Sequence, residues 1–173
     1  MAAIRSRWPQ AMAIAIAIAC EQRLRIAAKV DRADRTYFEQ EIRPLLDHPL
    51  IEFTGEIADA QKEEFLGGAS ALLFPIDWPE PFGMVMIEAL ACGVPVVAFR
   101  HGSVPEVIDD GATGFIVESL EDAIAATRRV PTLDRRRCRA AFERRFDVSR
   151  MAADYLRLYE ELLARRRFAS GAA

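Results

Sequence analysis

The feature that most constrains this sequence is an alternation. From Leu24 onward, short apolar runs of strand length take turns with stretches of helical periodicity, separated by turn residues, the order of elements expected of a parallel sheet flanked by helices. The strand candidates are Leu24–Ala28, Leu50–Thr54, Ala71–Pro75, Val94–Phe99 and a short Gly114–Val117. Most are continuously apolar, as strands covered on both faces should be. Between them, Thr36–Leu46 carries Phe38, Ile42, Leu45 and Leu46 at helical spacing, Ala58–Gly68 opens with Asp59 and closes at Gly67-Gly68, and Phe82–Cys92 stops at Gly93 with Pro95 shortly after. All three read as helices. Ser119, three residues before Asp122, caps a helix over Leu120–Arg129. Two more helices follow, the last from about Ser149 to Arg167 with Met151, Tyr155, Leu158 and Leu162 on one stripe. The expected architecture is a single α/β domain, a parallel sheet with helices on both faces and a C-terminal helical tail.

The 173 residues are 51% apolar and 28% charged, which suits one packed domain and excludes a disordered tail. The uncharged stretches Trp8–Cys20, Phe65–Ile76 and Ala89–Phe99 all fall short of the ~18–20 apolar residues of a membrane span. Cys20, Cys92 and Cys138 lie far apart, with no C-x-x-C pair and no clustered histidines, so they read as reduced thiols of a cytosolic protein, with no metal site. Arg5 and Arg7 before the apolar run Ala11–Cys20 imitate a secretory signal. The run continues into Glu21-Gln22-Arg23 and a strand, so a helix packing back onto the sheet is the preferred reading and export the second.

The net charge of −3 hides an asymmetry: residues 1–127 carry 10 basic and 20 acidic side chains, and residues 128–173 carry 13 and 6. Basic clusters such as Arg135, Arg136, Arg137, Arg139, Arg144, Arg145 and Arg165–Arg167 can meet nucleic acid or anionic lipid. Acids and apolar residues interrupt this one, which favours a solvated helix face. No nucleic-acid partner is expected, and membrane contact is at most peripheral, at the inner membrane surface. There is no Gly-x-Gly-x-x-Gly after a strand and no P-loop.

Chemistry concentrates between Trp78 and Pro95. Glu88 is the one formal charge between Pro81 and Phe99, in a helix apolar all round; such helices are buried, and an isolated buried carboxylate is strongly unfavourable. Glu88 therefore either pairs with a base or faces a polar cleft, and sequence alone weighs the two equally. Glu80 sits between Pro79 and Pro81 in a strand-to-helix loop, at the sheet edge where open α/β sheets bind ligands. A helix beginning near Phe82 would aim unpaired N–H groups at the same place, and Gly83 would let phosphate approach closely.

The run Glu80-Pro81-Phe82-Gly83-Met84-Val85-Met86-Ile87-Glu88-Ala89-Leu90-Ala91-Cys92-Gly93-Val94-Pro95 closely resembles the E-x7-E segment of the family-4 retaining glycosyltransferases of the two-Rossmann-domain, B-type fold. The likeness continues through Gly102–Ile108, Asp110–Val117, Phe146 and the Met151, Tyr155 and Tyr159 tail helix, and upstream through Val30–Asp34, Phe53–Ile57 and Ala69–Pro75. It implies a C-terminal, donor-binding Rossmann-like domain: a degenerate first strand or loop and helix over 1–22, the nucleotide-sugar-binding core over 23–130, and C-terminal helices of the same domain over 131–173. It also implies residue roles. Glu80, as the catalytic residue, contacts hydroxyls of the transferred sugar and Glu88 the ribose hydroxyls. Backbone at Phe82, Gly83, Met84 and Val85 lies along sugar and diphosphate, backbone at Glu56 and Ile57 meets the base, Val30 lines the base pocket and the Gly102 loop borders the donor. The substrate is a nucleotide-diphosphate sugar, with no cofactor and no metal.

Two departures stand out. The family's Gly-Arg…Lys-Gly stretch, whose charges neutralise the diphosphate, corresponds here to Met1–Gln10, without a lysine; Arg5 and Arg7 are the substitutes at hand. The family's N-terminal, acceptor-binding domain has no counterpart in these 173 residues, so the chain is expected to associate with an acceptor-binding subunit or with itself and not to turn over alone. The alternative is a catalytically silent nucleotide-binding or partner module derived from that domain. A regulatory domain of the flavodoxin type is a third reading, with only Asp31 and Asp34 in its favour.

Overall fold

A computed structural model describes the backbone of residues 9–170 and the side chains of residues 10–166. In chain order the elements are α1 (Pro9–Ala19), β1 (Leu24–Ala27), α2 (Arg35–Tyr37), β2 (Ile51–Gly55), α3 (Asp59–Gly67), β3 (Leu72–Phe74), α4 (Met84–Ala91), β4 (Val96–Phe99), α5 (Val104–Val107), β5 (Gly114–Val117), α6 (Leu120–Arg129), α7 (Arg135–Arg145) and α8 (Val148–Ser170). All five expected strands form, each within a residue or two of the apolar run that encodes it. Every strand pairing is parallel, but the strands make two sheets, β1-β2 and β3-β4-β5.

The faces of these sheets follow from strand alternation. Val97 of β4 packs with Ile16 of α1 and Ala123 and Ala126 of α6. Its neighbours Val96 and Ala98 turn to the opposite face, against Met86 and Leu90 of α4 and Cys138 of α7. α1 spans the two sheets: Ile14 and Ala17 meet Ile26 of β1 and Ile51 of β2, while Ile16 meets the β3-β4-β5 sheet. The apolar run Ala11–Cys20 is thus accounted for by a helix on the sheet.

The expected helix over Thr36–Leu46 winds unevenly, as α2, then a π turn over Phe38–Ile42, then a 3-10 turn over Arg43–Asp47. Pro44 is the cause. It lacks the N–H for an i→i−4 bond and its ring crowds the carbonyl four residues back, so regular α pitch cannot continue. The cap of α6 is as read, with Ser119 Oγ accepting from the Asp122 N–H at 3.0 Å.

The basic tail differs from a simple solvated face. Arg135 of α7 donates to Gly93 O at 2.9 Å, Ala69 O at 3.0 Å and Gly67 O at 2.9 Å, the carbonyl-rich C-terminal ends of α3 and α4 where a cation is favoured. Arg139 donates to Ala91 O at 2.7 Å, and Arg145 to Val107 O and Asp109. Beneath them Cys138 is buried and donates to Thr113 O, its thiol pushed up to about 11 by burial. The stripe on α8 stands uncovered: Met151, Tyr155, Leu158, Tyr159 and Leu162 are each about half exposed. Among the described residues no helix is long and apolar enough to cross a membrane.

The span of α1 across both sheets predicts an uneven response along that helix. Ile16 is 1% exposed and Ile18 37%. In urea unfolding, Ile16→Ala is expected to lose about 2–5 kcal/mol and Ile18→Ala under about 1 kcal/mol; equal losses would mean that α1 does not hold the sheets.

Candidate functional site

Lys62, in the first turns of α3, touches Glu88, in the second turn of α4. The starts of these two helices are therefore side by side, and with them the loops that leave the carboxyl ends of β2 and β3. This is the ligand-binding edge of an open α/β sheet.

Glu80 hangs in the β3-to-α4 loop, and its position is fixed from three directions. Its carboxylate accepts from the Trp78 indole Nε1–H at 3.0 Å and from the Gly83 backbone N–H at 3.1 Å. Its carbonyl accepts from the Ser103 N–H at 2.9 Å. Gly102, beside that bond, has φ +52°, and a Cβ there would strike the Glu80 backbone, so only glycine lets the two loops approach this closely.

Gly83 has φ +72° and ψ 59°, a left-handed conformation, and α4 begins after it at Met84. The helix read as starting near Phe82 therefore starts two residues later. A left-handed residue breaks the helical path, and here it turns the Gly83 N–H back onto Glu80. The donors left facing outward are the first-turn N–H groups of Met84 and Val85, which have no intrahelical acceptor. Phe82 and Met84 are exposed around them, and the Phe82 ring meets Phe146 edge-on at 6.5 Å, which fastens the loop to the end of α7.

Glu88 lies ~7.5 Å further along the α4 axis from Gly83, at about 1.5 Å per residue. Its Oε1 accepts from Lys62 Nζ at 3.2 Å, and Lys62 also pairs with Asp59 at 3.0 Å. Hydrogen bonds donated by Lys62 to Asp59 and then to Glu88 raise the Lys62 pKa above that of a free lysine. The Glu88 side chain is 32% exposed and opens onto a groove of about 1040 Å³ lined by Asp59, Lys62, Glu64, Cys92, Arg139 and Phe142. Both alternatives read from the sequence hold together, since Glu88 is paired with a base and faces an opening. Glu80 does not line that groove.

Val30 follows β1 and is half-buried; Glu56, exposed, and Ile57, half-buried, follow β2. The structure thus brings Glu80, Phe82, Gly83, Met84, Val85 and Gly102 into one loop cluster, with Glu88 a turn along α4. Arg5 and Arg7 lie outside the described residues. Sequence reading missed Lys62, 26 residues from its partner, with no local signal to find it. It also missed Trp78, whose spacing of two from Glu80 was the available clue.

The family model described as glycosyl transferases group 1 matches residues 15–139. A phosphatidyl-myo-inositol mannosyltransferase of Mycobacterium leprae is 34% identical over 138 residues, 76% of this chain and 36% of that protein. Among solved structures, a glycosyltransferase involved in avilamycin A biosynthesis is 26% identical with a TM-score of 0.76, covering 92% of this chain and 50% of that one. Anabaena HepE in complex with UDP and glucose, 21% identical, superposes with a TM-score of 0.72 over 90% of this chain and 47% of its own. The chain spans about a third of the length of the mannosyltransferase and half or less of these solved chains. With a family model covering most of its length and the same Rossmann-like α/β domain in its structural neighbours, the chain belongs to the group 1 glycosyl transferases.

Proposed function

We propose that this chain is the donor-binding half of a retaining glycosyltransferase, holding a nucleotide-diphosphate sugar at the start of α4. The observation that carries the reading is the fixed Glu80 carboxylate beside free first-turn N–H groups, with a second carboxylate about one turn along the same helix. Glu80 meets hydroxyls of the transferred sugar, the Met84 and Val85 N–H groups meet the diphosphate, and Glu88 meets the ribose. Lys62 occupies Glu88 Oε1, which leaves Oε2 to accept from ribose hydroxyls. Val30 and the Glu56-Ile57 backbone line the base, and the Gly102 loop closes the sugar end. Arg5 and Arg7 supply charge to the phosphates.

This arrangement calls for no metal and no resident cofactor. Donor binding of this kind positions one reactant only, and transfer needs an acceptor held across a cleft with water excluded. The acceptor half is supplied by a further domain, a separate subunit or a second copy docking on the uncovered face of α8, in the cytoplasm.

Calorimetry distinguishes the two carboxylates. Glu88→Gln is expected to weaken a nucleoside diphosphate about tenfold or more, as loss of a charge-assisted bond to ribose implies. Glu80→Gln is expected to leave the nucleoside diphosphate within about twofold and to weaken only the nucleotide sugar, since its partner is the sugar. Gly102→Ala, which presses on the Glu80 backbone, should behave as Glu80→Gln does. Equal losses for Glu80→Gln and Glu88→Gln with nucleoside diphosphate alone would contradict these roles.

A further inference from the structure

Trp78 is a large ring that stays at the surface. In the loop after β3, Pro75 and Ile76 are buried, whereas Trp78 is 42% exposed. A single exposed aromatic is ordinary. This one is exposed and also fixed.

Three constraints fix it. The Glu80 N–H donates to the Trp78 carbonyl at 2.8 Å, an i→i+2 bond that closes a γ-turn about Pro79, whose ring already holds φ close to the ~−75° of such a turn. Across the turn, the indole Nε1–H donates to Glu80 Oε2 at 3.0 Å. Behind the turn, Gly102 lies so close to the Pro79–Glu80 peptide that a Cβ there would stand 2.8 Å from Pro79 C and 2.5 Å from Glu80 N.

The result joins two chemistries in one rigid turn. An indole carries one donor and no acceptor, and here the donor is engaged, so the rest of the ring offers a hydrocarbon surface. The Glu80 carboxylate takes one bond on each oxygen, from Trp78 and from Gly83. An ionised carboxylate has about four acceptor positions, so two are left for hydroxyl donors beside the ring. A ligand that suits both parts carries hydroxyls around its rim and C–H bonds on its face, as a sugar ring does. Phosphate, an anion that accepts only, suits neither.

We propose that Trp78 is a sugar-binding residue, its ring packing on the C–H face of the transferred sugar while its N–H holds the Glu80 carboxylate toward that sugar's hydroxyls. The inference rests on the donor reading above and names within it a residue that separates a nucleotide sugar from the plain nucleotide. Tryptophan suits the task because it brings a large contact area at the cost of ordering two side-chain angles, and the γ-turn has ordered the backbone beforehand.

Calorimetry on the full chain with UDP-, GDP- and ADP-glucose, each against its own nucleoside diphosphate, tests this. The quantity read is the ratio of the two affinities, which isolates the share of the sugar. Trp78→Leu, which removes ring and N–H, is expected to cut that ratio about tenfold or more, and Trp78→Phe, which keeps a ring without the N–H, about threefold. Both are expected to bind the nucleoside diphosphate within about twofold of the unaltered chain. In Trp8→Phe, which leaves Trp78 as the one tryptophan of the sequence, the fluorescence is expected to change with the glucose nucleotide and not with the nucleoside diphosphate. An unchanged ratio in Trp78→Leu overturns the proposal. Equal weakening of both ligands overturns it too, since Trp78 would then only brace the loop. If none of the three pairs binds, the donor reading fails and the proposal fails with it.

Discussion

Two sheets that share no backbone hydrogen bond among the described residues are held together here because the apolar face of α1 lies across both. Ile14, Ile16 and Ala17 are each 1% exposed, and they join β1 and β2 on one side to β3, β4 and β5 on the other. The candidate site depends on that union. Val30 and Glu56 belong to loops of the first sheet, and Glu80 and Gly102 to loops of the second, so their relation is set through α1 and through the Lys62 contact between α3 and α4.

Within the site, the decisive constraint is the contact between the Glu80 and Gly102 loops. It holds a carboxylate at the start of a helix whose remaining first-turn donors stay free, so one element offers an acceptor for sugar hydroxyls and donors for phosphate. The far end of α4 is held as firmly. Arg135 gathers carbonyls from the ends of α3 and α4, and a planar guanidinium suits this better than an ammonium could. Glu88 sits between these anchors on a helix whose Met86, Ala89 and Leu90 are wholly buried, which fixes the distance between the two carboxylates.

Much of this was legible in the residues. Apolar runs marked the five strands, unbroken in β3, β4 and β5, whereas Arg25 interrupts β1 and Glu52 interrupts β2. The Glu80 and Glu88 pair stood out because charge is otherwise absent from Phe82 to Phe99. What stayed hidden depends on contacts distant in sequence or on single backbone angles. Gly83 could have been an interior helix glycine, and only its left-handed angle, tied to the Glu80 carboxylate, moves the helix start to Met84. Lys62 is one of several charged residues on α3, and nothing local singles out its reach to Glu88. The tail arginines read as solvated because the carbonyls that they bind belong to helix ends 40 or more residues away for Arg135. The stripe on α8 was visible from its spacing, but whether a stripe is covered is a property of the packed domain.

The central claim is that a nucleotide-diphosphate sugar binds at the start of α4. Chemical-shift mapping of the full chain during titration with a nucleotide-diphosphate sugar addresses it directly. The account predicts that the largest amide shifts fall on Gly83, Met84 and Val85, with smaller ones at Val30, Ile57, Glu88 and Gly102. Shifts confined to Glu64, Cys92, Arg139 and Phe142 in the groove behind Glu88, or no shifts at saturating ligand, would contradict it.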